Sequence, residues 1–121
     1  MNLATCLVAC ALASTAALPA AADTIVYTAV LTGAAESPPS GSSGTGTATL
    51  TIDVDLFTAR VEASFSGLTG TTTMAHVHCC TATAGTATAG VASQVPSYPD
   101  FPLGVSAGTY DQTFDLTQVA S

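Results

Sequence analysis

Both histidines of this 121-residue chain and two of its four cysteines fall in one run of five residues, His76-Val77-His78-Cys79-Cys80. Side chains two apart on a strand project from the same face, about 7 Å apart, and can converge on a single ion. His76 and His78 therefore read as half of a copper or zinc site. The plainer reading is a pair of hydrogen-bonded histidines that fix a strand end. No third histidine exists to complete an all-imidazole site. Cys79 and Cys80, whose thiolates suit zinc or cuprous copper, are the nearest further candidates, with Glu36 and Asp100 more remote.

The adjacent cysteines admit three fates. Their Cα atoms, about 3.8 Å apart across a trans peptide, are closer than the roughly 4.4–6.8 Å usual for a disulfide, so a vicinal bridge would be strained and readily reduced. Metal ligation beside the histidines and bridging to another chain are the alternatives. The vicinal bridge between Cys79 and Cys80 is preferred, because in an exported chain these two cysteines have no other partner.

Little else in the chain can do chemistry. There is no G-x-S-x-G elbow to support a hydrolase triad, and Gly41-Ser42-Ser43-Gly44-Thr45-Gly46 lacks the lysine of a phosphate loop. Asn2 is the only asparagine, which removes N-glycosylation. Arg60 is the sole basic side chain against eight acids, giving a net charge of −7 with only 7% charged residues. Neutralising phosphates takes several Lys or Arg on one face, so nucleic acid is excluded as a partner. The same scarcity argues against docking on anionic lipid. The residues favour a non-enzymatic role.

The elements that must position the histidines follow from the chain's patterning. An apolar stretch from Leu3 to Leu18, Pro19, and Ala20-Ala21-Ala22 before Asp23 read as a signal peptide over residues 1–22, cleaved after Ala22 and taking Cys6 and Cys10 with it. Its n-region has no Lys or Arg, so an uncleaved membrane anchor is the alternative. Residues 23–121 then form one small domain. Period-2 alternation bounded by Gly, Pro and Ser clusters predicts antiparallel strands over 24–32, 47–54, 59–66, 73–78 and 108–117, with a short one at 91–95. About six strands with Gly/Pro turns imply a Greek-key β-sandwich or barrel. The 73–78 strand would put Met74, His76 and His78 on one face.

The order of these features resembles the CHRD domain. The resemblance is carried by Leu31-Thr32-Gly33-Ala34-Ala35-Glu36-Ser37-Pro38-Pro39, then Gly44 to Thr49, then Gly67-Leu68-Thr69 before Ala75-His76-Val77-His78. The cysteine pair and Phe101-Pro102-Leu103-Gly104-Val105 to Gly108-Thr109-Tyr110 and Phe114-Asp115-Leu116-Thr117 look like bacterial members. The resemblance implies an extracellular antiparallel β-sandwich, immunoglobulin-like or superoxide-dismutase-like in topology, with no established enzymatic activity. Gly67-Leu68-Thr69 followed by His76-Val77-His78 also looks like the first copper-ligand strand of copper-zinc superoxide dismutase, whose further ligand histidines have no counterpart here. Family domains usually continue to an Asn-x-His-Thr element and a Gly-Glu-Ile-Arg-Gly stretch, so the resemblance implies a sandwich incomplete at its C-terminus, with an unpaired sheet edge.

These readings converge on a secreted or cell-envelope module, in the periplasm or at the cell surface, with a binding or structural role. An extracellular protein, a polysaccharide or a second copy joined through the unpaired edge would be its partner, with no membrane contact after leader cleavage. The rival is a copper- or zinc-binding redox protein using His76 and His78.

Overall fold

Alternating apolar and hydroxyl-bearing residues on successive segments can bury one face only by laddering side by side, and that is the arrangement found. A computed structural model describes residues 23–83 and 85–118; the leader assigned to residues 1–22, with Cys6 and Cys10, lies outside them. Four strands, β1 (Thr24–Thr32), β2 (Thr45–Asp53), β3 (Thr58–Ser66) and β4 (Gly108–Asp115), form one antiparallel sheet in chain order, and a 3-10 turn at Gly33–Ala35 is the only helical element among the described residues. The protein is all-β, and this single open sheet with consecutive strand order is consistent with part of a β-sandwich.

Register sorts the two faces. Ile25, Ile52, Ala59 and Phe114 lie in one row, followed by Tyr27, Leu50, Val61 and Gln112, then Ala29, Ala48, Ala63 and Tyr110. The opposite face carries Thr49, Arg60, Glu62, Ser64 and Asp111. Arg60 donates to both carboxylate oxygens of Asp111, from Nε at 2.8 Å and Nη2 at 2.7 Å, and Nη2 also lies 2.9 Å from Glu62. The chain's one guanidinium thus ties β3 to β4 on the solvent side. The β2–β3 hairpin turns where the Asp53 carboxylate accepts the Asp55 and Leu56 amides at 3.0 and 2.9 Å, with Phe57 left-handed at φ 51°. Asx turns of this kind direct a hairpin loop.

The buried apolar core is small and off-centre: Ala59, Val61 and Tyr110. Tyr98 and Phe101, from the 67–107 connection between β3 and β4, cover this part of the apolar face. Phe101 stacks on Phe65 with ring centres 5.8 Å apart and leans on Tyr110 at 5.1 Å, while Tyr98 stacks on Tyr110 and Phe114 at 5.9 and 5.3 Å. Burial raises the Tyr110 hydroxyl pKa above the ordinary tyrosine value, with Tyr98 and Asp100 adding to the effect. Toward β1 the face is bare, with Ile25 45% and Tyr27 57% exposed.

The strand predicted over 73–78 is not laddered. Its only ladder contact with the 91–95 segment among the described residues is an isolated bridge between His78 and Val91. Side-chain hydroxyls take the amides a neighbouring strand would have used: Ser97 Oγ accepts from Ala75 N at 3.0 Å and Ser93 Oγ from Val77 N at 2.9 Å. Among the described residues the expected six strands are therefore four.

Candidate functional site

The histidine run sits on the 67–107 connection and is secured from one side by the chain 11 to 23 residues further on. Ala92 N donates to Val77 O at 2.9 Å, Tyr98 N to Ala75 O at 3.1 Å, and Cys79 N to Gly90 O at 3.2 Å. With the two serine bonds, every backbone donor and acceptor named here finds a partner outside the main sheet. Lower down, Thr72 N donates to Val105 O at 2.9 Å and Gly104 N to Thr72 O at 2.8 Å.

The structure brings His76 and His78 together, as the i, i+2 spacing predicts, with ring centres 5.9 Å apart and planes nearly perpendicular at 84°. Each ring is held by a backbone carbonyl from the facing chain. His76 Nε2 lies 2.8 Å from Pro96 O, and His78 Nδ1 lies 2.8 Å from Ala89 O. His76 is half-buried and His78 exposed. Cys79 and Cys80 follow with their sulfur atoms against each other, and the peptide between them is cis rather than trans.

The remoter candidates divide. Glu36 shares with His78 a shallow recess of about 370 Å³ also lined by Ser37, Thr81 and Ala89, whereas Asp100 is not part of it. Among the described residues, no three of His, Cys, Asp and Glu gather into a group able to hold a metal ion. A larger hollow of about 790 Å³ opens at Thr45, Ser64, Phe65 and Thr109 and contains no histidine, cysteine or acid. The carbonyls of Ala89 and Pro96, which orient the two rings, are the part of the site that sequence reading missed; nothing local to His76 or His78 signals them. No helix among the described residues is long and apolar enough to cross a membrane.

Comparison with known families gives one result: a family model described as the CHRD domain matches residues 27–119. No curated protein and no solved structure matches the chain.

Proposed function

The chain belongs to the CHRD domain family, and on that premise we propose that it is an extracytoplasmic β-module that works by association, through its β1 edge, rather than by catalysis. The observation that carries this reading is the edge itself. From Thr24 to Thr32 it has no charge and no proline, and Val26 and Val30 are 56% and 73% exposed. An exposed strand edge of this length is a template for another strand.

The occupant favoured is a second copy. Each copy carries net charge −7, so two copies meet most readily where neither has an acid, and β4, the other edge, bears Asp111 and Asp115. Antiparallel pairing about Thr28 sets Ile25 against Leu31, Val26 against Val30 and Tyr27 against Ala29 of the partner, so like faces stay together. It also turns the acidic end of β1, where Thr24 pairs with Asp53 and the Asp23 amide bonds the Asp55 carboxylate, toward the uncharged Gly33 end of the other copy. An extracellular protein or a polysaccharide is the competing occupant. In the oxidising compartment this reading requires, Cys79 and Cys80 pair as a vicinal disulfide.

The test is fractionation of cells making the full-length chain, followed by sedimentation of the recovered protein over a range of concentrations. Recovery outside the cytoplasm, with mass rising toward the dimer, supports the reading. A cytoplasmic chain, or one monomeric throughout, overturns it. Thiol titration with and without reductant reads the cysteines, and two free thiols in the native exported protein would refute the bridge.

A further inference from the structure

Among the described residues each imidazole is anchored through one nitrogen, and the anchors are on opposite ring positions. A backbone carbonyl can only accept, so His76 carries its proton on Nε2, toward Pro96 O, and His78 carries its proton on Nδ1, toward Ala89 O. In the neutral rings this leaves lone pairs on His76 Nδ1 and His78 Nε2. A histidine whose far nitrogen donates to a backbone carbonyl has its tautomer and ring orientation set for metal, and its free nitrogen made more basic. Both rings meet that condition here. The chain supplying the carbonyls also bonds the backbone of Ala75, Val77 and Cys79, so this orientation is built into the fold.

We propose that His76 Nδ1 and His78 Nε2 bind one copper ion. An ion about 2.0 Å from a ring nitrogen lies about 3.2 Å from that ring's centre, so two rings sharing an ion have centres no more than about 6.4 Å apart. The observed 5.9 Å falls inside that limit. Copper is favoured over zinc by the order of affinities at nitrogen donors. Imidazole suits copper, which in its divalent state stands at the top of the first-row affinity order. With Cys79 and Cys80 turned to each other, the pair of nitrogens is the donor set, and water completes it at exposed His78.

The full-length exported protein, stripped of metal with a chelator, is titrated with copper(II) chloride and read by metal analysis and by electron paramagnetic resonance. The expected result is one copper per chain with nitrogen coupling from two imidazoles. His76→Gln keeps an N–H donor near the Nε2 position and His78→Asn keeps one near Nδ1, while each removes the free nitrogen. Either substitution lowers affinity at least about tenfold, in the range set by disturbing a metal site, and the double variant loses stoichiometric copper. Should these variants fail to fold by circular dichroism, copper(II) broadening of both histidine ring signals in the NMR spectrum of the wild-type protein provides the same test. No copper bound, copper undiminished in the folded double variant, ring signals left sharp, or binding abolished by Cys79→Ser with Cys80→Ser while the histidines are intact would each overturn the assignment.

Discussion

Tyr110 on β4 donates its phenolic proton to the carbonyl of Pro99 at 2.8 Å. That bond joins the most buried aromatic of the sheet to the segment whose neighbours, Tyr98 and Phe101, close the core. The same segment bonds the histidine run at Ala75. The core and the site are therefore held by one stretch of chain.

Removing the hydroxyl alone tests the tie. Tyr110→Phe keeps the ring stacking and leaves the Pro99 carbonyl without its donor, an expected loss of about 1 kcal/mol. Tyr110→Ala removes the ring as well, at about 3–5 kcal/mol, a large part of the 5–15 kcal/mol typical of a domain. Urea unfolding with an unchanged slope measures both.

The Arg60–Asp111 pair makes the fold acid-sensitive in a defined direction. The Arg60 guanidinium, bonded to the Asp111 carboxylate, lowers its pKa below the ordinary 3.8, outweighing the opposing effect of desolvation. A lowered folded value means that the stabilisation is complete above the unfolded aspartate pKa and is lost as pH falls through the lower folded one. Asp111→Asn is expected to flatten this acid limb in melting curves taken at successive pH values. Because the pair is exposed, added salt should shrink the difference.

Ser93 and Ser97 take the place of a neighbouring strand for the histidine run. Ser93→Ala and Ser97→Ala free the amides of Val77 and Ala75, each at about 1 kcal/mol. Amide hydrogen exchange at these two positions should quicken, with protection in β2 and β3 unchanged. Equal protection in mutant and wild type would mean that the serines do not hold the segment.

These serines also mark where sequence reading stopped. Alternation and turn chemistry made β1 legible to its ends and the β2–β3 hairpin legible to within two residues, since both depend on neighbours close in the chain. Residues 73–78 show the same alternation, but whether such a segment ladders depends on its partner, and its partner is a loop offering Ser93 and Ser97 hydroxyls. The proximity of His76 and His78 follows from their i, i+2 spacing. The carbonyls that orient them come from Ala89 and Pro96, 11 and 20 residues away, and only the folded connection brings them there. Tyr98 and Phe101 lie in a proline-rich stretch rightly read as irregular; their part in the core is set by the sheet they fold onto.

The β1 edge tests the account most directly, because its proposed register pairs Val26 of one copy with Val30 of the other. Sedimentation equilibrium on the exported protein should give a dimer for the wild type and a monomer for Val26→Lys with Val30→Lys, which faces like charges across the edge. Val26→Lys with Val30→Glu, which faces opposite charges, should restore the dimer. A monomeric wild type, or the same mass for both double variants, would contradict association through this edge.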